Sequence, residues 1–86
     1  MAAPAPAAPS VMAVTFSGLR TGVYPVHLHS RCDGTQAFHI TTLASLHVSA
    51  MGSGTIGVPS GDFGRSLCLI VYTSPSLSAV LTTRRI

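Results

Sequence analysis

After the first ten residues, hydrophobic and polar positions alternate along the chain, and Gly, Pro or Ser interrupts the pattern about every ten residues. Such runs, rich in Val, Ile, Thr, Phe and Tyr, are typical of short β-strands in a sandwich or barrel. The predicted strands cover residues 11–17, 23–29, 38–42, 46–51, 55–58, 65–73 and 77–83. We therefore expect an all-β fold, a Greek-key-like sandwich or small barrel of six or seven short antiparallel strands.

Two local features add detail to this prediction. The tripeptide Gly52-Ser53-Gly54 lies between two predicted strands and is a hairpin signal. The segment 65–73 is the most hydrophobic of the predicted strands, so we expect it in the centre of a sheet. Its strictly apolar run, residues 67–72, is far shorter than the ~20 residues that a membrane-spanning helix needs, so no membrane span is predicted.

The first ten residues, MAAPAPAAPS, differ in composition from the rest of the chain. Their three prolines oppose a regular helix and favour extended, solvated chain. We expect a disordered lead-in over residues 1–10 and a single β domain over residues 11–86. Because this segment lacks the pattern of a signal peptide but could begin a mature exported chain, we expect an extracytoplasmic location, secreted or periplasmic.

Composition narrows the classes of function. The chain has 86 residues, of which 47% are hydrophobic and only 8% charged, and it contains neither Lys nor Glu. A surface this poor in charge predicts burial in a homo-oligomer. The net charge of +3 comes from five scattered arginines, which are too few for a nucleic-acid groove but favour a small anion. The last two arginines, Arg84 and Arg85, are expected to form a solvated tail.

Histidines provide the most specific chemical feature. His27 and His29 alternate with Val26 and Leu28 on a predicted strand, so both imidazoles project from the face opposite the aliphatic side chains. Two imidazoles at positions i and i+2 can converge on one metal ion. The remaining histidines, His39 and His47, follow ten and eighteen residues after His29 and are candidate further ligands. The alternative is that His27 and His29 are exposed strand residues with no ligand.

These residues also resemble a known family. The segment Gly18-Leu19, Gly22 and Val26 to His29 is similar to the "GL..G.HG.H.H" segment of copper/zinc superoxide dismutases. Further likenesses follow in the same order along the chain: Cys32, Phe38-His39, the stretch 46–58 and Phe63-Gly64-Arg65-Ser66-Leu67, the last resembling "vGRtLvvH". The pattern also resembles CHRD domains and small bacterial superoxide-dismutase-like modules.

The resemblance implies a copper site that holds His27, His29 and His39, with His47 or Tyr72 as an additional ligand. Where the family places its remaining copper histidine, this chain has Ile70 or Tyr72. No carboxylate stands at the position downstream of His39 where the family's zinc site needs one, so zinc is doubtful.

The resemblance further implies that copper redox cycling consumes superoxide, with weaker copper retention than in the family. Two alternatives remain. The first is a non-catalytic β-sandwich module for self-assembly or partner binding, and the second is a haem or other transition-metal centre using His and Tyr72.

The two cysteines, Cys32 and Cys68, leave two alternatives open. A disulfide between them would close a long loop and stabilise a small exported domain. Otherwise Cys68 is a buried free thiol within its strand, and Cys32 is a soft metal ligand or a surface thiol. In the resembling family the loop cysteine pairs with one near the last strand, and the last predicted strand here has no cysteine.

Overall fold

The computed structural model describes residues 11–59 and 67–86. These residues contain no α-helix, and all their strand pairs are antiparallel, which confirms the predicted all-β fold. The elements in chain order are β1 (Val11–Phe16), β2 (Gly22–Tyr24), β3 (Val26–His29), a 3-10 turn (Gln36–Phe38), β4 (His39–Thr42), β5 (Leu46–Val48), β6 (Gly54–Pro59), β7 (Cys68–Tyr72) and β8 (Val80–Arg85). No helix in this part of the chain is long and apolar enough to cross a membrane.

The strands form one four-stranded sheet and two ribbons. The four-stranded sheet has the order β4-β3-β7-β8, and the ribbons pair β1 with β6 and β2 with β5. Strand β7 lies between β3 and β8 with all five residues buried, so the prediction of a central hydrophobic strand is confirmed. A strand that is apolar on both faces is stable only where both faces are covered.

Pro25 explains why residues 11–59 and 67–86 form eight strands where six or seven were predicted. The predicted strand 23–29 divides at this residue into β2 and β3, which belong to different sheets. Proline has no N–H to donate to a ladder, so a continuous central strand through it is disfavoured. Its carbonyl instead accepts a hydrogen bond from the Tyr72 N–H at 2.9 Å, and this anchors the start of β3 beside β7.

The predicted turn at residues 52–54 forms, but its two strands do not pair with each other. Gly52 adopts a φ of 78°, and the N–H of Ser49 donates to the Ser53 carbonyl at 2.9 Å. Beyond this turn β5 pairs with β2, while β6 pairs with β1 over six residues. The ladder between β6 and β1 matches six residue pairs, whereas no ladder forms between β5 and β6.

The C-terminal segment differs from the prediction at both ends. The predicted strand 77–83 begins only at Val80, because Leu77 closes a turn onto the Ser74 carbonyl with a φ of 57°. At the other end Arg84 and Arg85 are exposed, as expected, but they belong to β8 and pair with β7, so they do not form a tail. The Arg84 guanidinium lies 4.7 Å from the centre of the Phe16 ring, a cation–π contact that also covers the core.

The hydrophobic core lies between the two ribbons and one face of the four-stranded sheet. From that sheet it takes the side chains that alternate with the histidines, and from the ribbons it takes their inward-facing aliphatic and aromatic side chains. Its buried members are Val14, Phe16, Val26, Leu28, Leu46, Val48, Ile56, Val58, Leu67, Leu69 and Val71. This arrangement is a small sandwich, with the ribbons as one layer and the four-stranded sheet as the other.

The opposite face of the four-stranded sheet carries the histidines. His27 and His29 lie on it beside the smaller buried cluster of Cys68, Ile70 and Tyr72. Both histidines are buried, with 6% and 0% of their surfaces exposed, so the alternative of exposed strand histidines is wrong. The predicted lead-in at residues 1–10 and the Phe63-Gly64-Arg65-Ser66 part of the family resemblance lie outside the described residues.

Candidate metal centre

Four rings meet on the outer face of the four-stranded sheet. The His27 ring centre lies 5.6 Å from that of His29, 4.5 Å from that of His39 and 5.0 Å from that of Tyr72. The centres of the His29 and His39 rings are 5.7 Å apart. We call these four residues the ring cluster. Three of the four predicted histidine ligands and the candidate additional ligand Tyr72 therefore come together in space.

Strand register brings the ring cluster together. In β3, His27 and His29 are two residues apart and share a face. Strand β4 places His39 directly opposite His29, with a register shift between Leu28 and His29. Tyr72 ends β7, on the side of β3 opposite to β4, and its side chain reaches back towards His29. Three separate strands therefore supply the cluster.

His47 does not join the ring cluster. It lies on β5, directly opposite Val23 of the paired strand β2, and its side chain is exposed. Strand β5 belongs to a ribbon on the other side of the core, so proximity in sequence does not carry His47 to the sheet that holds His27. The prediction of His47 as a ligand beside the other histidines is therefore corrected.

His29 has the most constrained ring of the cluster. Its Nδ1 lies 2.7 Å from the backbone carbonyl oxygen of Asp33. A carbonyl can only accept, so Nδ1 is the nitrogen that carries the proton and donates. In the neutral ring this leaves the lone pair on Nε2, which lies 3.5 Å from His27 Nδ1 and 3.3 Å from the Tyr72 hydroxyl oxygen. Metal-binding histidines are commonly oriented in this way, by a hydrogen bond from the nitrogen that does not bind the metal.

Tyr72 is fixed by hydrogen bonds from the chain segment that follows β3. Its fully buried hydroxyl donates to the Gly34 carbonyl at 2.9 Å and accepts from Gln36 Nε2 at 2.9 Å. We call residues 30–38 the strap, since they cross over His29 and Tyr72 and bond to both. The strap's contacts are not visible in the sequence, because Gln36 and the Asp33 and Gly34 carbonyls belong to an ordinary polar loop.

His39 is the exposed member of the ring cluster. It lies on the edge strand β4, and its Nε2 is 3.1 Å from the Thr42 hydroxyl oxygen. Within residues 11–59 and 67–86, no group of three or more His, Cys, Asp or Glu side chains is arranged to hold a metal ion. The donors at ligand separation are therefore the two nitrogens of His27 and His29 and the phenol oxygen of Tyr72, while His39 is engaged with Thr42.

Burial lowers the pKa of His27, and the nearby His39 and His29 lower it further, while a hydrogen bond with the Gln36 side chain opposes the shift. His27 consequently stays neutral to a lower pH than an ordinary imidazole, with a lone pair able to bind a cation. Two hydrogen bonds from Thr35 lower the pKa of the exposed Asp33 carboxyl. One of them, from the Thr35 N–H to Asp33 Oδ1, measures 2.7 Å, so this carboxylate stabilises a turn within the strap.

Acid is expected to destabilise the fold through His27. In the unfolded chain this imidazole takes up a proton as the pH falls through its ordinary pKa of 6.5, whereas in the folded protein it does so only at lower pH. The unfolded state therefore binds more protons in this window, and the free energy of unfolding falls as the pH drops below 6.5. Urea unfolding at neutral pH and just below pH 6 measures the effect. A His27→Gln variant should lose much of the dependence, and equal stability of the wild type at the two pH values would contradict it.

Removing the Tyr72 hydroxyl is expected to destabilise the protein by about 1–3 kcal/mol, because Tyr72→Phe removes two partly buried hydrogen bonds and leaves the Gly34 carbonyl and the Gln36 amide with only the bond between them. The matched control is Tyr24→Phe, whose hydroxyl donates to the Arg20 carbonyl at 2.6 Å near the surface. Water can replace that bond, so its loss should cost less. Thermal unfolding of both variants provides the comparison, and an equal or larger loss in Tyr24→Phe would refute the structural role of Tyr72.

The two cysteines form a disulfide. Cys32 in the strap and Cys68 at the start of β7 are joined by an S–S bond of 2.01 Å, with Cα atoms 5.2 Å apart. Neither cysteine is free, so Cys32 is not available as a soft metal ligand in this form. The bond connects the middle of the strap to the central strand of the sheet.

Comparisons with known proteins return no match: no protein family, curated protein or solved structure is detectably similar to this chain. The likeness to superoxide dismutases therefore depends on the short motifs quoted above. This likeness stays a prediction. The geometry of the structure bears only on the predicted metal site, through the ring cluster.

Proposed function

We propose that this protein is a small β-sandwich domain that binds a transition metal, preferably copper, at the ring cluster. The observation that carries the proposal is the environment of His29 Nε2. This nitrogen lies within 3.5 Å of both His27 Nδ1 and the Tyr72 oxygen, while Nδ1 of the same ring is anchored to the strap. Metal–imidazole bonds of about 2.0–2.1 Å place neighbouring ligand nitrogens roughly 3–3.5 Å apart, which agrees with the His27–His29 pair.

The intrinsic order of metal affinities favours copper over zinc at a site with nitrogen and oxygen donors. Imidazole nitrogens suit copper well, and a site of two imidazoles and a phenol oxygen can be completed from the exposed side by His39 if it leaves Thr42. The Asp33 carboxylate lies upstream of His39 and accepts a hydrogen bond from the Thr35 N–H, so it does not supply the zinc ligand that the family places downstream of His39. Bound copper would supply one-electron redox chemistry. The protein's own residues would bind it through His27 and His29, and the strap would hold His29 in the required tautomer.

Superoxide dismutation is the catalytic form of this proposal. The net reaction converts two superoxide anions and two protons into dioxygen and hydrogen peroxide. His39 is the only exposed member of the ring cluster, so a small anion would approach from its side. The net charge of +3 favours such an approach, and Arg31, stacked 5.3 Å from the centre of the Phe38 ring, adds a cation near the end of the strap.

Copper titration tests the proposal directly. Protein incubated with Cu(II) and then desalted is expected to retain one copper per chain, with nitrogen hyperfine structure in its electron paramagnetic resonance spectrum. Retention of no copper would overturn the proposal. An assay of superoxide consumption on the loaded protein then separates a dismutase from a copper-binding protein without this activity.

The disulfide supports an extracytoplasmic location as part of the same proposal. Disulfides persist in secreted and periplasmic proteins, whereas the reducing cytosol keeps thiols free. A small domain with a limited core gains most from such a bond, since it buries a smaller fraction of its surface than a large domain does. Labelling of free thiols in the protein taken from its native compartment tests this part, and quantitative labelling would contradict it.

The second candidate function is self-assembly, and the edges of the four-stranded sheet favour it. Ile40 on β4 is 40% exposed, and Val80 and Leu81 on β8 are 41% and 37% exposed. Apolar side chains on edge strands promote pairing with another chain. Sedimentation analysis of the mass in solution distinguishes the candidates, because a monomer that binds copper would remove the argument for assembly.

A further inference from the structure

The strap is attached to the sheet by one covalent bond and a few polar contacts. Its base is closed by the hydrogen bond from the Ser30 N–H to the Phe38 carbonyl at 2.9 Å. Its middle is held by the disulfide from Cys32 and by the carbonyls of Asp33 and Gly34, which accept from His29 and Tyr72. Of its nine residues, only Gly34 and Phe38 are not fully exposed. Apart from the disulfide, then, the strap has little hydrophobic burial to hold it down.

Gly34 shows how closely the strap is seated. A Cβ atom at this position would collide with Val80 Cγ2 and would lie 3.6 Å from Tyr72 Cε1. The strap backbone therefore fits between a side chain of β8 and the ring of Tyr72, with no space for a methyl group. While it stays there, it covers the side of His29 and Tyr72 that faces away from the sheet.

The disulfide is placed where a reductant can reach it. Cys32 is exposed, whereas Cys68 is fully buried beneath the strap. A thiolate of a dithiol reductant can attack the Cys32 sulfur, which breaks the bond and leaves Cys68 as the departing thiolate. The second thiol of the reductant then closes its own disulfide and releases Cys32. Two electrons and two protons pass in total from the dithiol to the two cysteines.

We propose that the Cys32–Cys68 disulfide locks the strap over the ring cluster, and that a dithiol reductant opens the cluster by releasing it. Without the lock the strap is held mainly by the hydrogen bonds from His29 and Tyr72 to the Asp33 and Gly34 carbonyls, and water satisfies these groups once the strap lifts, so the strap opens locally while the sandwich stays folded. Opening frees His29 Nδ1 from Asp33 and exposes His27 to solvent. The regulation of metal exchange by this opening rests on the proposed copper site, whereas the opening of the strap does not.

Histidine reactivity in the metal-free protein tests the opening. Diethylpyrocarbonate modification, located by mass spectrometry, should be slow at His27 and His29 and fast at the exposed His47, which serves as the internal reference. Reduction with dithiothreitol, or the variant Cys32→Ser, is expected to raise the rates at His27 and His29 at least ~10-fold relative to His47. Unchanged rates would show that the disulfide is not the lock.

Hydrogen exchange in the same samples separates local opening from unfolding. Amides of the β1–β6 ladder should stay protected after reduction, and their loss of protection would overturn the proposal, since the disulfide would then hold the whole fold. A Gly34→Ala variant keeps the disulfide but unseats the strap, so it should raise the two histidine rates by less than reduction does. An effect as large as that of reduction would contradict the disulfide as the main restraint.

Copper transfer to a chelator tests the regulatory part. Copper-loaded protein should lose its metal faster after reduction, and equal rates in the two states would overturn the control of metal exchange. If the protein retains no copper at all, the proposed function fails. The histidine reactivity of the metal-free protein then still decides whether the disulfide locks the strap.

Discussion

Replacing His27 with glutamine is expected to lower copper affinity at least ~100-fold, since even the loss of an outer hydrogen-bond partner typically weakens metal binding 10–100-fold. His27 is the best residue for this test because its side chain contacts the other three rings of the cluster and Gln36. Glutamine keeps a polar side chain of similar reach at a nearly buried position. Competition with a chelating dye of known affinity provides the measurement.

The matched control for this experiment is His47→Gln. It makes the same chemical change at an exposed histidine on β5, outside the ring cluster, and is expected to leave copper affinity unchanged. If His47→Gln weakens binding as much as His27→Gln, copper is bound by surface imidazoles in general and the ring cluster is not the site. Circular dichroism of both variants establishes that each is folded.

Breaking the disulfide is expected to lower the free energy of unfolding by about 3–4 kcal/mol. The two cysteines are separated by 36 residues, and in the chain-entropy model a closed loop of this length restricts the unfolded chain by roughly that amount. A chain of 86 residues has a total stability of about 4–13 kcal/mol. The loss is therefore a large fraction of the total, but it leaves most such domains folded at room temperature.

Urea unfolding of the oxidised protein, the reduced protein and Cys32→Ser measures this loss. The last two should agree, because both lack the bond and keep Cys68 in its buried position. A loss below about 1 kcal/mol would mean that the unfolded chain gains little freedom on reduction, contrary to the loop-closure argument. A change in the slope of unfolding free energy against urea would instead indicate a more compact unfolded state.

Strand content and the orientation of side chains follow from period-two alternation. The alternation of Val26 and Leu28 with His27 and His29 correctly separates the core face of β3 from the face that holds the imidazoles. Continuous hydrophobicity likewise identifies the central strand β7. These features are local, since a pleated strand sends neighbouring side chains to opposite faces whatever it pairs with.

Strand pairing cannot be predicted from the alternation of hydrophobic and polar residues. The turn at residues 52–54 is recognisable from its glycines, but it does not reveal that β6 pairs with β1 and that β5 pairs with β2. The same holds for His47, which is close to His39 in sequence but lies on a ribbon across the core. Proximity along the chain therefore placed one histidine too many in the predicted cluster.

The sequence by itself determined that this is a β protein, which residues share a strand face, and that two histidines on one face could act together. Only the tertiary structure decided that Tyr72 and His39 join them, that His47 does not, that Cys32 reaches Cys68, and that the strap binds His29 and Tyr72. The physical reason is that side-chain direction depends on the local backbone, whereas a site built from three strands and a loop depends on pairing between distant segments. That pairing is selected by the burial and hydrogen bonding of the whole chain, and no short segment specifies it alone.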